Sequence, residues 1–299
     1  MTEHIEQLVT EKPNPNTLKL DELSPLEIIR IMNDEDQKVA LAVQKELPKI
    51  AQAIEIIVKQ LNQKGRVIYF GAGTSGRLAV LDASECPPTF STTNEFIALI
   101  AGGTGAVKSA MEGAEDSETL IVEELKALKF SSKDVAVGIA ASGRTPYVIS
   151  GLKYAREIGA YTISVSCNSD SLLSKISDVG IDVEVGPEVL TGSTRLKAGT
   201  ATKMILNMLS TASMVQIGKV YGNLMVDLNP SNIKLMDRAK RIIMQATGVN
   251  EKTAHTALYD ANLKVKVAIV MIKKKCSASD AISYLERANG FVSKALKIK

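Results

Sequence analysis

The chain has 299 residues, 45% hydrophobic and 23% charged, with a formal net charge of +3 at pH 7, which is length enough for one large domain plus an appendage. Two histidines, no tryptophan and 4% aromatic residues argue against histidine-led catalysis and against stacking on single-stranded nucleic acid; basic residues cluster only at 273–275, so no nucleic-acid partner is expected. Cys86, Cys167 and Cys276 are far apart with no C-x-x-C pair, pointing to neither a disulfide framework nor a zinc site. The start lacks a signal-peptide core and no apolar run approaches the roughly 20 residues that span a bilayer, so the expectation is a cytoplasmic protein that does not engage membranes.

In chain order, residues 1–23 read as a polar leader broken by Pro13 and Pro15, too irregular for a core element but able to lie on a partner subunit; His4 falls within it. Ser24-Pro25-Leu26-Glu27 is a capping box with proline at the first helical position, and helices run from there to Gln63. From Arg66 the pattern changes to short apolar runs at 67–70, 96–101, 135–141, 161–167 and 181–185, separated by helical stretches. That alternation predicts an α/β fold, a doubly wound parallel five-stranded sheet with helices on both faces. Ligands of such sheets sit outside the carboxyl ends of the strands. A long helical pattern at 198–218 and another helix ending near 247 follow, and residues 248–299, without a strand candidate, read as a small domain of short helices. The predicted division is therefore 1–23, 24–247 and 248–299.

Three loops stand at predicted strand ends. The first, GAGTSGR from Gly71 to Arg77, lets the backbone turn sharply and presents helix amides, the Thr74 and Ser75 hydroxyls and the Arg77 cation to an anion. It also fits the dinucleotide pattern G-x-G-x-x-G, but a nicotinamide cofactor needs an acidic residue about 20 positions on, at the end of the second strand. Gly102 and Gly103 stand there instead, so a compact phosphorylated small molecule is favoured. The second loop places Ser142, Gly143 and Arg144 before Thr145 and Pro146, a helix cap and first residue. The third, 191–197, repeats the chemistry with Ser193, Thr194 and Arg195. Each loop alone also suits a plain helix start; three on one sheet edge point to a polyol phosphate.

With histidine set aside, carboxylates must carry proton chemistry. Glu85 lies in Asp82-Ala83-Ser84-Glu85-Cys86-Pro87-Pro88, where the double proline is expected to stop the helix and leave the carboxylate at its negative end, favouring the protonated form of a general acid. Glu112, Glu115 and Asp116 follow the second strand, Asp116 reading best as the cap of a helix to about 127. Spacing alone does not choose among these three.

The segments GAGTSGRLAVLDASECPPT, AGG, MEGAEDS, GIAASGRTPYV and TGSTRLKAGTATK together resemble the N-acetylmuramic acid 6-phosphate etherases of the sugar isomerase domain superfamily, over nearly the whole chain. The resemblance implies cleavage of the lactyl ether of N-acetylmuramate 6-phosphate to N-acetylglucosamine 6-phosphate and D-lactate, without metal or organic cofactor. It assigns carbon 2 deprotonation to Glu115, and lactate protonation followed by water activation to Glu85. It puts Ser75, Ser142 and Thr145 on the phosphate and Ser84, Arg144 and Ser193 on the sugar. It further implies a homodimer and a C-terminal three-helix module similar to ubiquitin-associated domains. Two rivals keep the same fold: a sugar phosphate isomerase, which needs no acid aimed at carbon 3, and a sugar-phosphate sensor, which needs neither glutamate. ASECPP, with Glu85, is the feature that sets the etherase apart.

Overall fold

Five short apolar runs separated by helices form one sheet: β1 (Val67–Gly71), β2 (Phe96–Ile100), β3 (Val135–Ile139), β4 (Tyr161–Ser166) and β5 (Val179–Asp182). The computed structural model describes residues 8–299, so His4 and the first part of the leader lie outside the described residues. All strand pairs are parallel in the order β2-β1-β3-β4-β5, with Val67 opposite both Phe96 and Val135. Every residue of β1 and β3 is buried, as a parallel sheet covered on both faces requires. The fifth strand, expected over 181–185, lies earlier. Its apolar alternation continues through Val183 and Val185, but β4 ends at Ser166, which pairs with Asp182, so the ladder has no partner beyond the Val183 amide.

The helices are α1 (Pro25–Lys45), α2 (Leu47–Asn62), α3 (Gly73–Phe90), α4 (Gly105–Lys108), α5 (Leu120–Ala127), α6 (Pro146–Glu157), α7 (Leu172–Ile176), α8 (Lys197–Gln216), α9 (Ile233–Thr247), α10 (Glu251–Asp260), α11 (Val265–Lys274), α12 (Ala278–Arg287) and α13 (Val292–Ala295). The capping box at Ser24 is present, the Ser24 amide donating to Glu27 Oε2 at 2.8 Å. Ile68, Phe70 and Ala136 join Ile121, Leu125, Tyr147, Val148 and Leu152 in the core under α5 and α6. Tyr69 points the other way, where its hydroxyl meets Asp82 of α3. Asp82 also accepts from Asn207 Nδ2 at 2.6 Å and Ser210 Oγ at 3.1 Å on α8. Burial pushes the Asp82 carboxyl up, and these bonds oppose that rise.

Two expectations about helix ends are corrected. Pro87 and Pro88 do not stop α3, which continues to Phe90. The two prolines withhold backbone donors, yet the Thr89 hydroxyl donates to the Glu85 carbonyl at 2.7 Å and the Ser91 amide to the Pro87 carbonyl at 2.9 Å, keeping the helical path. Glu85 therefore lies inside the helix, and the helix-end argument for its protonation falls. Asp116 is not the cap of α5; it closes a 3-10 turn, Ala114–Asp116, and the Leu120 amide donates to Ser117 Oγ at 3.2 Å.

The described part of the leader packs, contrary to expectation. It forms 3-10 turns at Val9–Glu11, Pro15–Thr17 and Leu20–Glu22, with Thr10 and Asn14 buried. Asn168 Oδ1 accepts from the Val9 amide at 2.9 Å, its Nδ2 donates to Thr10 Oγ1 at 3.1 Å, and Asn14 Nδ2 donates to the Pro187 carbonyl at 3.2 Å. The leader is thus a strap on the α/β unit.

By contacts the chain forms two compact units, one running up to residue 83 together with 95–210, the other 84–94 together with 211–299. The second has its own core from Val226, Leu228, Ile242, Ile243, Leu258, Val267, Ala268, Ile269, Val270, Leu285 and Val292. α9 packs on α10 and α11, so the boundary expected at 248 falls inside this helical unit. Gly248 is instead the left-handed cap of α9, at φ 80°. Among the described residues no helix is long and apolar enough to cross a membrane.

In the first unit a buried charge fixes the start of α8. Lys197, 1% exposed, reaches Glu35 Oε2 of α1 at 2.6 Å. Glu35 also accepts from Lys38 and from Asn16 of the strap. Burial alone would push Glu35 up, but the bonds from Lys197, Lys38 and Asn16 hold it at about 2. Lys197→Met should cost about 1.5–3 kcal/mol in urea unfolding at pH 7, because the Glu35 carboxylate loses its buried charged donor and keeps only Lys38 and Asn16. Since the folded value lies below the unfolded one, Glu35 stabilises fully above pH 4.5 and loses that contribution as pH falls towards 2. The melting temperature should drop across that window in the wild type and less so in Lys197→Met.

Candidate active site

A parallel sheet leaves a crevice where successive connections turn in opposite directions, and here that point lies between β1, whose connection leads to β2, and β3, whose connection leads to β4. The loops leaving these two strands build a cavity of about 310 Å³. Ala72, Gly73, Thr74 and Ser75 line it from the start of α3, and Ala140, Ala141, Ser142 and Thr145 from the approach to α6. Glu115, Thr194, Ala198, Gly199, Thr202 and Glu11 complete the wall.

The local sequence explains the shape. A Cβ on Gly76 would stand 2.6 Å from the Gly71 carbonyl oxygen and from Ile100 Cγ1, so only glycine lets α3 begin this close to the sheet. Gly143, at φ 72°, turns the second loop, and a Cβ there would meet Ser171 Cβ at 2.4 Å. Pro146 opens α6 as expected, but the Thr145 side chain makes no capping bond. Its hydroxyl is left for a ligand, as are the first amides of α3, whereas at the start of α6 Pro146 has no N–H and the Val148 amide already donates to the Thr145 carbonyl at 3.0 Å.

The third loop behaves differently. The Glu188 carboxylate, fully buried, accepts from the Lys197 and Ala198 amides at 3.0 and 2.9 Å, so the N-terminus of α8 is already answered by a negative charge. That leaves the starts of α3 and α6, with Thr74, Ser75, Ser142 and Thr145, open at the cavity. Thr194, not Ser193, lines the cavity from this loop, and Arg195 is exposed.

A second cavity of about 160 Å³ adjoins, lined by Ala72, Gly73, Arg77, Ala101, Ala106, Ala110, Met111, Glu112, Gly113 and Glu115. Arg77 thus faces this neighbour rather than the larger cavity, its Nε donating to the Val107 carbonyl at 3.1 Å. Of the three acids that spacing left open, Glu115 lines both cavities, Glu112 only the smaller and Asp116 neither. Gly113, at φ 76°, starts the turn that carries Glu115.

The structure therefore brings Thr74, Ser75, Ser142, Thr145 and Glu115 together. Within the same unit, Arg144 and Ser193 are half-buried outside both linings, the Arg144 amide donating to Ser142 Oγ at 3.4 Å. Ser84 and Glu85 are exposed on α3, in the stretch 84–94 that belongs to the helical unit. Sequence reading missed Glu11 and Thr202. Thr202 carries a visible signal, one turn into the helix after the third loop; Glu11 sits in a strap whose docking no pattern announces.

A donor-rich wall with two carboxylates, Glu11 and Glu115, beside it can bind a phosphate monoester and move a proton on the attached carbon skeleton. Ser142→Ala or Ser75→Ala should weaken inorganic phosphate binding about tenfold by calorimetry, the loss of one hydrogen bond to a charged group.

Residues 49–156 match the glucokinase regulatory protein N-terminal SIS domain family, and residues 122–212 the SIS domain family. An N-acetylmuramic acid 6-phosphate etherase of Geobacillus sp. (strain WCH70) is 57% identical over 294 residues, covering 98% of this chain and 100% of the relative. That of Clostridium beijerinckii is 53% identical over 295 residues, covering 98% and 97%. N-acetylmuramic acid 6-phosphate etherase 2 of Lactiplantibacillus plantarum is 55% identical over 294 residues, covering 98% and 99%. Among solved structures, a phosphoheptose isomerase from Francisella tularensis superposes with TM-score 0.53 at 19% identity, over 64% of this chain and all of its own. One from Neisseria gonorrhoeae gives 0.50 at 18%, over 64% and 98%. These two likenesses concern the fold alone.

Proposed function

We propose, from the premise that the chain belongs to the N-acetylmuramic acid 6-phosphate etherases, how its own residues carry out the family's reaction. The chain is a carbon–oxygen lyase that cleaves the lactyl ether of N-acetylmuramate 6-phosphate with water, giving N-acetylglucosamine 6-phosphate and D-lactate, a step of cell-wall amino sugar catabolism. Its site in the cytoplasm is part of the proposal.

The observation that supports the site reading is the single cavity shared by Thr74, Ser75, Ser142, Thr145 and Glu115. The phosphate sits at the starts of α3 and α6, held by these hydroxyls and by helix amides. Binding it there fixes the remote end of the sugar, so that binding energy positions the reacting carbons. In the open-chain form the carbon 1 aldehyde acidifies the carbon 2 proton, and Glu115 removes it. The C3–O bond then breaks, its electron pair leaving with the lactyl oxygen. An alkoxide is a poor leaving group, so Glu85 protonates it and, now ionised, takes a proton from the water that adds to carbon 3. The carbon 2 proton returns to close the balance. The Glu85 role rests on the segment ASECPP, and Ser84 is assigned to the sugar on the same ground. Arg144 and Ser193, outside the cavity wall, are left with supporting parts in the loops that carry Ser142 and Thr194.

A homodimer completes the proposal. α1 leaves Leu26, Ile29 and Leu41 more than half exposed, an apolar face that a second copy would cover.

Solvent deuterium separates the two glutamates. Glu115→Gln should stop both carbon 2 exchange in heavy water and lactate release, each by at least about 100-fold. Glu85→Gln should stop lactate release while carbon 2 exchange continues. Undiminished lactate release from either variant would remove that residue from its role.

A further inference from the structure

One wall residue has no part in the chemistry above. Glu11 ends the first turn of the strap, is half-buried, and lines the larger cavity beside Thr194. Its carboxylate has no hydrogen bond or ion pair among the described residues. A carboxylate brought out of full hydration towards a cavity wall loses solvation that only a donor can replace. Here no donor among the described residues does so.

Its position is nonetheless built. The Asn168 side chain, 3% exposed, accepts from the Val9 amide at 2.9 Å and donates to Thr10 Oγ1 at 3.1 Å and to the Ala141 carbonyl at 2.9 Å. One amide group therefore locks the strap to the second loop, two residues before Glu11 on one side and one residue before Ser142 on the other. On the far side of the strap turn, Glu11 Oε2 approaches Gly192 so closely that a Cβ there would stand 3.2 Å away. The carboxylate is held between two loops of the cavity with both oxygens lacking a donor.

We propose that Glu11 is a substrate-binding residue that accepts hydrogen bonds from hydroxyl groups of the bound sugar; this rests on the etherase reading of the cavity. Charge sorts the wall accordingly. The uncapped starts of α3 and α6 take the dianionic phosphate, which Glu11 would repel, and Glu11 takes the neutral polyol, whose hydroxyls are donors. A charged acceptor makes the stronger bond to a hydroxyl, so removing the charge while keeping the shape weakens sugar binding without touching the phosphate contacts.

The test is calorimetry on the full chain with N-acetylglucosamine 6-phosphate and, separately, inorganic phosphate, for the wild type, Glu11→Gln, Glu11→Asp and the exposed strap control Lys12→Ala. Glu11→Gln should weaken sugar phosphate binding about tenfold and leave inorganic phosphate binding within about twofold, with Glu11→Asp in between and Lys12→Ala unchanged. Unchanged sugar phosphate binding in Glu11→Gln would overturn the proposal. So would equal weakening of both ligands, which would make the strap a brace for the cavity and no more. Thermal melting of each variant shows whether it folds; should Glu11→Gln not fold, Glu11→Asp carries the same comparison of the two ligands. Binding is measured without turnover, so failure of lactate release by the wild type would sink the etherase reading separately.

Discussion

The cavity depends on how closely α3 can begin against the end of β1. Gly76 allows that approach, since a Cβ on it would stand 2.6 Å from the Gly71 carbonyl oxygen, and Gly71 lies so close to β3 that a Cβ there would stand 2.7 Å from the Ile139 carbonyl oxygen. From it follows the direction of the first α3 amides, and from the reversal of strand order between β1 and β3 follows the parallel position of α6. Two helix starts at one crevice suit a phosphate better than either alone, because both bring hydroxyls and a partial positive charge to the same cavity and α3 adds its first amides.

The third helix start shows that the arrangement is selective. α8 begins with the same kinds of residue, yet Glu188 occupies its amides and Lys197 beneath it is bound to Glu35. Burial pushes the Glu188 carboxyl up, while its two amide donors and the nearby Lys197 act against that rise. The chain thus spends one helix start on internal cohesion, tying α1, the strap and α8 together, and leaves the starts of α3 and α6 open at the cavity. Polar networks of this kind stabilise only when each member is satisfied.

Much of this was legible in the sequence. The first four apolar runs are legible because a buried parallel strand is a short continuous run, and the loops because sharp turns need glycine and helix starts need hydroxyls. The fifth strand ends earlier than its pattern suggests because its apolar alternation outlasts its pairing partner, and α3 runs past its two prolines because side-chain and backbone bonds carry the helix on. Of three neighbouring acids, only the 3-10 turn after Gly113 singles out Glu115, which spacing does not reveal. The strap was illegible for a plainer reason: its attachment is made by Asn168, about 160 residues away in the chain, and long-range pairing of polar side chains leaves no local pattern.

The most direct test of the account is D-lactate release by the purified chain from N-acetylmuramate 6-phosphate and from the unphosphorylated sugar at equal concentration. Lactate is expected from the phosphorylated sugar and at least about 100-fold less from the other, as follows from a cradle that holds the substrate by its phosphate. Equal release from both, or none from either, would contradict it.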